Sequence, residues 1–246
     1  MKTFFLATSL MAAAMTADAQ NLKTVSYADG AQQLSGLMTP QSGKNRPGVL
    51  ILPAWKGIDD EAKEAAQMLA KEGYTAFIAD IYGVDKVPKN NDEAKVMSGM
   101  FKEDYALYQK RISLALEQFK KASGTDRVAI IGYCFGGTGA LEAARGQLPV
   151  LGVVSIHGGL AKAENRPNGP MGVKVLVEHP DQDASVTPEH LQQLRTELNE
   201  GKADWQLITY AYSKHTFTDP KSPDYNPTMA KRAWQHTLLF LKEVLR

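Results

Sequence analysis

The chain has little cysteine, little excess charge and no apolar run long enough to cross a membrane, and each shortage excludes a class of protein. One cysteine in 246 residues excludes an intrachain disulfide, a cysteine-based zinc site and a C-x-x-C redox motif. A formal net charge of +1 without a lysine and arginine block excludes the electrostatic footprint of a nucleic-acid or anionic-membrane binder. Because 43% of the residues are hydrophobic, disorder is also excluded. We therefore expect a globular protein that acts on a small molecule.

The N-terminal residues are typical of a secretory signal peptide. Lys2 precedes an uncharged, apolar-rich run over residues 4–17, and Ala17-Asp18-Ala19 forms an A-x-A cleavage site. The run is shorter than the roughly 20 residues that span a bilayer. We predict a cleaved signal peptide over residues 1–19, a mature chain from Gln20, secretion to the bacterial periplasm and no membrane contact after cleavage.

The mature chain alternates short apolar runs with amphipathic helical stretches. The runs are rich in β-branched residues and do not alternate with polar ones, the pattern of strands buried on both faces of a parallel sheet. They predict strands at 49–52, 76–79, 128–131, 150–156, 173–177 and 207–210. Helical spacing predicts helices at 60–71, 97–119, 188–198 and 229–245. We predict a single α/β domain over residues 20–246, with a mostly parallel, doubly wound sheet and helices on both faces.

A nucleophile elbow is predicted where the run 128–131 meets the following helical stretch. The connecting residues are Gly132-Tyr133-Cys134-Phe135-Gly136-Gly137, the pattern G-x-nucleophile-x-G. Glycines on both sides let the strand and the helix approach, and a helix N-terminus favours a thiolate. The amide of Phe135 is the predicted oxyanion donor. The alternative is a buried structural cysteine in a glycine-rich turn.

Such an elbow needs an acid and then a histidine later in the chain. His215 follows the run 207–210 and is the predicted base. Asp181 and Asp183 both follow the run 173–177, and the pattern alone does not decide which of them orients the histidine. His157 follows the run 150–156 and is expected to line the pocket or satisfy a turn. No two histidines have metal-ligand spacing, so we predict neither a metal nor a cofactor.

Taken together, these segments resemble the dienelactone hydrolase (carboxymethylenebutenolidase-like) family of the α/β-hydrolase superfamily over about residues 45–246. The matching segments run from Leu52 to Gly57, Ala79 to Gly83, Gly132 to Gly137, Ser155 to Gly159, Asp183 to Val186, His215 to Phe217 and Tyr225 to Trp234. The resemblance implies the α/β-hydrolase fold and a triad of Cys134, His215 and Asp183. It also implies that the amide of Trp55 is the second oxyanion donor. The predicted substrate contacts are Lys56, Tyr82, His157 and Phe217.

Two departures from the family concern activation and substrate. Well-studied members have a glutamate before the second oxyanion residue, where this chain has Ala54. Either the thiolate arises through His215 and the helix dipole, or Asp59 or Asp60 substitutes. Members that hydrolyse dienelactone hold its carboxylate with arginines, and residues 82–85 offer none. The nearest cations along the sequence are Lys56, Lys86 and Lys214.

The sequence therefore predicts a secreted hydrolase of small esters or lactones that works through a thioester on Cys134. The alternative is a non-catalytic ligand-binding relative that retains the fold, which Ala54 and the missing arginines favour. The pH dependence of thiol alkylation would separate the two. Because the chain lacks heptads and long exposed apolar stretches, we expect a monomer.

Overall fold

The computed structural model describes residues 22–41, 46–163 and 165–246. The predicted signal peptide at 1–19 and the mature start at Gln20 lie outside these residues, so they and export stay predictions. Within the described part of the chain, no helix is both long enough and apolar enough to cross a bilayer.

Eight described strands form one sheet in the order β1-β2-β4-β3-β5-β6-β7-β8. The strands are β1 (Lys23–Asp29), β2 (Gln32–Met38), β3 (Gly48–Leu52), β4 (Thr75–Ile78), β5 (Val128–Tyr133), β6 (Gly152–Ile156), β7 (Lys174–Pro180) and β8 (Asp204–Tyr210). The helices are α1 (Asp60–Lys71), α2 (Asn91–Glu103), α3 (Tyr105–Ser123), α4 (Phe135–Arg145), α5 (Pro188–Glu200) and α6 (Pro227–Val244). β3 to β8 are mutually parallel, which confirms the predicted α/β class and mostly parallel sheet.

The two faces of the sheet carry separate apolar cores because side chains alternate along each strand. In β3, Leu50 and Leu52 pack into a core with α3 and α4, whereas Val49 and Ile51 pack into a core with α1 and α6. Every residue of β3, β4, β5 and β6 is buried, as their uninterrupted apolar sequences predict. The predicted helices on both faces are therefore confirmed.

The N-terminal hairpin of β1 and β2 was absent from the sequence prediction. The two strands pair antiparallel around the turn at Gly30, and β2 pairs antiparallel with β4. Residues of β1 alternate between half-buried and exposed, and its sequence is largely polar. A strand at the edge of a sheet does not need the apolar run that identifies a buried strand.

The predicted helix at 97–119 is wrong, because the structure has two helices there. α2 ends at Asp104, whose Oδ1 accepts a hydrogen bond from the amide of Leu107 and begins α3. Apolar spacing continues across this break, so periodicity did not reveal it. Tyr105, the first residue of α3, is 38% exposed at the junction.

The strands predicted at 207–210 and 173–177 also differ from the structure. β8 is longer than predicted and lies at the sheet edge, paired with β7, with several exposed residues instead of two buried faces. β7 continues through Glu178, His179 and Pro180, beyond the end of the apolar run that defined the predicted strand. The carboxyl ends of the parallel strands β5 to β8 lie at one edge of the sheet, where ligands of open α/β sheets bind.

Candidate active site

Cys134 lies at a tight turn between β5 and α4, in the strand-turn-helix context that the motif predicts. Its backbone has φ 53° and ψ −111°, a conformation that side-chain-bearing residues rarely adopt. A Cβ at Gly132 would lie 1.9 Å from the Gly136 carbonyl oxygen, and one at Gly136 would lie 2.0 Å from the Leu52 carbonyl oxygen. Glycine is therefore required at both positions for the turn to close against β3.

The structure brings Cys134, His215 and Asp183 together. His215 Nε2 lies 3.1 Å from Cys134 Sγ, and His215 Nδ1 lies 2.8 Å from Asp183 Oδ2. Asp183 is buried, whereas Asp181 is exposed. Asp183 is thus the carboxylate that holds His215, which is the choice the family resemblance implied and the pattern had left open.

Ser185 is a member of this cluster that the sequence analysis did not single out. Its hydroxyl and its amide both donate to Asp183 Oδ1, at 2.6 and 2.9 Å. With His215 on Oδ2, both oxygens of Asp183 are occupied. The only signal in the sequence was the position of Ser185 two residues after the acid, because an aspartate side chain commonly accepts from the backbone amide two residues on.

Asp183 and His215 stabilise each other as an oppositely charged pair. Burial raises the pKa of Asp183, but hydrogen bonds from His215 and Ser185 outweigh it and lower the pKa to about 2. Burial lowers the pKa of His215, but its hydrogen bonds with Asp183 and Cys134 and their charges outweigh it and raise the pKa to about 10. At neutral pH the resting site therefore holds an imidazolium between a carboxylate and the sulfur.

His157 lies beneath the elbow rather than in an open cleft. It is 1% exposed, and burial first of all, together with the charge of His215, lowers its pKa to about 3, so the ring is neutral. The Cys134 amide is shared between His157 Nδ1 and the Ile156 carbonyl oxygen, each at 3.1 Å. Because Nδ1 accepts this bond, the ring hydrogen is on Nε2. Nε2 then donates to Thr218 Oγ1 at 2.8 Å, and that hydroxyl donates to Glu61 Oε1 at 2.6 Å. We call these linked groups the Glu61–Thr218–His157 chain.

Tyr82 holds the loop that carries Trp55 against the elbow. Its hydroxyl donates to the Trp55 carbonyl oxygen at 2.8 Å, and its ring stacks on Phe135 with centroids 5.6 Å apart. Tyr108 donates to the Phe135 carbonyl oxygen at 2.9 Å from the other side. The Phe135 amide is the first of α4, and such amides have no acceptor within their own helix. These contacts restrict the movement of Trp55 and Phe135, the two predicted oxyanion residues.

Three of the four predicted substrate contacts are occupied by protein neighbours. Tyr82, His157 and Phe217 are each at most 3% exposed, and the ring of Phe217 packs against those of His157 and Tyr210. They support the residues of the triad and the elbow, and their contact with substrate stays a prediction. Lys56 is exposed, and its contact with substrate stays a prediction.

The carboxylates expected to replace the family glutamate have other partners. Asp59 caps α1 by accepting the Ala62 amide at 2.9 Å, and Asp60 pairs at the surface with Lys63 and Lys221. The suggestion that either substitutes at Cys134 is therefore wrong. Of the cations noted along the sequence, Lys86 pairs with Asp85 and Lys214 with Asp224.

A cleft of about 210 Å³ begins beside the cluster. Thr138, one turn into α4, and Ser185 line it. Its charged and titratable lining residues are Lys102, Lys162, Arg166, His190 and one acid, Glu142. Arg166 is already engaged, since it pairs with Glu142 at 2.7 Å and its guanidinium lies 3.8 Å from the ring centroid of Tyr105. Among the described residues, no group of three histidine, cysteine or acidic side chains is placed to hold a metal ion.

Comparison with known proteins connects this geometry to a family. The dienelactone hydrolase family matches residues 35–245. A Bradyrhizobium protein described as "Probable 2-oxo-3-(5-oxofuran-2-ylidene)propanoate lactonase" is 27% identical over 226 residues, covering 87% of this chain and 90% of the relative.

Solved structures give the same result for the fold. A dienelactone hydrolase-like promiscuous phosphotriesterase from metagenomic libraries is 31% identical, with a TM-score of 0.84 over 92% of this chain and 99% of the other. A dienelactone hydrolase from Anabaena variabilis is 18% identical, with a TM-score of 0.67 over 92% of this chain and 99% of the other, and it supports the fold alone. The chain therefore belongs to the dienelactone hydrolase family, has the α/β-hydrolase fold and is a hydrolase of the lactone and ester type.

Proposed function

We propose that the protein hydrolyses small lactones or esters with Cys134 as nucleophile, His215 as acid and base, and Asp183 as the group that orients the histidine. The observation that carries the proposal is the unbroken line of contacts from Cys134 Sγ through His215 to Asp183, at 3.1 and 2.8 Å. Nucleophile, base and orienting acid within hydrogen-bond reach are the signature of covalent catalysis.

Acylation begins with the Cys134 thiolate, which forms a bond to the substrate carbonyl carbon. The amides of Phe135 and Trp55 stabilise the negative charge that develops on the carbonyl oxygen. As the carbon–oxygen bond breaks, His215 transfers its Nε2 proton to the leaving alkoxide. The product of this step is a thioester on Cys134, and in a lactone the released alcohol remains part of the acyl group.

Deacylation uses the same histidine as a base. The charge of Cys134 is one cause of the raised pKa of His215, and forming the thioester removes that charge. The pKa of His215 falls accordingly, so the neutral ring accepts a proton from water while the hydroxide attacks the thioester. Thiolate and imidazolium are restored when the acid leaves.

Activation of the thiol is assigned to His215 and to α4 rather than to a carboxylate in the place of the family glutamate. Cys134 is the N-cap residue of α4, where the helix dipole favours negative charge. His215 supplies a positive charge 3.1 Å from the sulfur. These two contributions favour negative charge on the sulfur where Ala54 supplies no carboxylate.

The adjoining cleft favours a substrate with an anionic group. Lys102, Lys162 and Arg166 outnumber the single acid Glu142 in its lining, and Arg166 is already paired. Lys162 Nζ donates to the Arg166 carbonyl oxygen, a neutral acceptor that leaves its charge unpaired by an acid there. We assign recognition of a substrate carboxylate to Lys162 and Lys102, in place of the arginines of the family. Lys162→Met should raise KM for a carboxylate-bearing ester several-fold, which corresponds to a loss of about 1 kcal/mol of binding free energy. KM for a neutral ester should stay unchanged.

Turnover of p-nitrophenyl acetate and of simple lactones by the wild type, Cys134→Ala and Cys134→Ser tests the proposal. Both variants should lose activity by several orders of magnitude. Each factor of ten corresponds to about 1.4 kcal/mol of activation free energy. Mass spectrometry of acid-quenched wild type should detect an acyl group on the peptide that contains Cys134. Wild-type turnover no faster than that of Cys134→Ala would overturn the proposal.

Hydrolysis of phosphotriesters is a second candidate activity. It is favoured by the 31% identity to the metagenomic phosphotriesterase over 92% of this chain. The same Cys134 thiolate would attack phosphorus and displace an alcohol. Adding paraoxon to the substrate panel tests this activity, and no turnover above that of Cys134→Ala would exclude it.

A further inference from the structure

A second cavity, of about 310 Å³, lies on the opposite face of the sheet between α1 and α6. Its floor is formed by Tyr133, Ile156 and Glu178, which are neighbours in register on β5, β6 and β7. All three are at most 4% exposed, whereas Glu64 and Lys231 at the rim are exposed. The cavity therefore has a buried floor and a mouth open to solvent, and its size is at the lower end for small-molecule sites.

Glu178 in this floor is an incompletely satisfied buried carboxyl. It is 1% exposed, and Oε1 accepts a hydrogen bond from Thr237 Oγ1 at 3.2 Å. Among the described residues Oε2 has no partner in hydrogen-bond geometry, and the neighbouring Tyr210 hydroxyl bonds to His236 Nδ1 instead, at 2.8 Å. Burial raises the pKa of Glu178 well above its ordinary value, and the neighbouring hydroxyls of Thr237 and Tyr210 offset only part of that rise. Buried polar atoms without partners are rare and costly, so an unpartnered oxygen on a residue that lines a cavity indicates a donor that a ligand would supply.

The other lining residues define the charge of that donor. Glu61 and Glu64 on α1 add two more carboxyls, and the one cation in the lining, Lys231, lies at the rim. Burial raises the pKa of Glu61 to about 8, as expected where carboxyls lack a counter-ion. Three aromatic rings also line the cavity, those of Tyr133, Tyr225 and Trp234. Acids and aromatic faces together recognise cations that carry an apolar body.

We propose that this cavity binds a small organic cation, a protonated amine on an aromatic or aliphatic body, whose ammonium group donates to Oε2 of Glu178. Binding changes no bond other than those to an exchangeable proton. The proton that Glu178 holds in the empty cavity leaves to solvent when an ammonium enters, or passes to the nitrogen of a neutral amine. The site is separate from Cys134, which does not line it, so the proposal stands whether or not the protein acts by the mechanism above.

Benzylamine, benzyl alcohol and benzoate separate charge from shape, because they share the ring and differ in the polar group. Calorimetry and tryptophan fluorescence would be measured on protein whose Cys134 has been alkylated with iodoacetamide, so that the elbow is blocked. Benzylamine should bind at least about tenfold more tightly than benzyl alcohol, and benzoate should not bind, since a buried ion pair requires the opposite charge.

Variants locate the binding. Glu178→Gln keeps the shape of the protonated acid and should weaken benzylamine binding by about tenfold or more. Glu64→Gln, at the exposed rim, is the matched control and should change the affinity by less than about twofold. If Glu178→Gln does not fold, Ala230→Phe on α6, at a half-exposed lining position, should block the mouth and abolish binding.

Three results would overturn the proposal. The first is no benzylamine binding, which would leave Oε2 of Glu178 to buried water. The second is equal affinity for benzylamine and benzyl alcohol, or for wild type and Glu178→Gln. The third is binding that disappears when Cys134 is alkylated, which would place the amine at the elbow.

Discussion

Replacing Thr218 with valine tests whether the Glu61–Thr218–His157 chain positions the nucleophile. Valine has nearly the shape of threonine but lacks the hydroxyl that accepts from His157 Nε2 at 2.8 Å and donates to Glu61 Oε1 at 2.6 Å. His157 is 1% exposed, so its Nε2–H has no access to water after the change. The other end of the chain is the Cys134 amide, held at 3.1 Å in a left-handed backbone conformation.

The expected loss of stability follows from this burial. An unsatisfied buried donor costs about 1–3 kcal/mol. Glu61 is only partly buried, so its carboxyl can recover a water and contributes less. For a domain of this size each kcal/mol lowers Tm by about 2–4 °C, which predicts a decrease of roughly 2–12 °C. Because His157 also loses its fixed orientation, we expect slower alkylation of Cys134 and a lower kcat with little change in KM.

Thr216→Val is the matched control for this experiment. Thr216 lies in the same loop, and its hydroxyl shares a hydrogen bond with Ser222 Oγ at 2.5 Å instead of with His157. Scanning calorimetry of both variants should show the larger decrease in Tm for Thr218→Val. Iodoacetamide should alkylate Cys134 more slowly in Thr218→Val than in Thr216→Val. Equal Tm values would refute the argument from burial. A lower Tm with unchanged alkylation and kcat would show that the chain stabilises the fold without positioning Cys134.

Three further predictions concern the triad and the N-terminus. Asp183→Asn should lower the pKa of His215 and decrease kcat about 10²- to 10⁴-fold, because the ring loses its orienting carboxylate; an NMR titration that leaves the pKa near 10 would contradict this. The stability contributed by His215 is fully present below its unfolded pKa of 6.5 and is lost as pH rises through about 10, whereas that of Asp183 is present above 3.8 and is lost as pH falls through about 2. Urea melts should therefore show decreasing stability above pH 7 in the wild type and a flatter alkaline limb in His215→Gln. N-terminal sequencing of the protein isolated from the periplasm should begin at Gln20, and a chain that begins at Met1 would exclude cleavage.

The predictions that succeeded depended on neighbours within a few residues. The apolar runs of β3 to β6 identify strands because a strand covered on both faces has no position that tolerates a polar side chain. Gly132 and Gly136 around Cys134 identify the elbow within a five-residue pattern, although the clash that Gly136 avoids is with the distant Leu52 carbonyl oxygen. The same local reasoning missed the break at Asp104, because apolar spacing is the same in one long helix and in two short ones.

What the sequence alone determined was the α/β class, the elbow at Cys134, and the order in which an acid and His215 follow it. Only the tertiary structure joined Glu61 to Thr218, which are 157 positions apart, and turned Glu178 from a polar residue beyond a predicted strand into the floor of a cavity. It also showed that Asp183, and not Asp181, contacts His215. Such pairings depend on how distant segments pack against one another, and no pattern within a single segment records that packing.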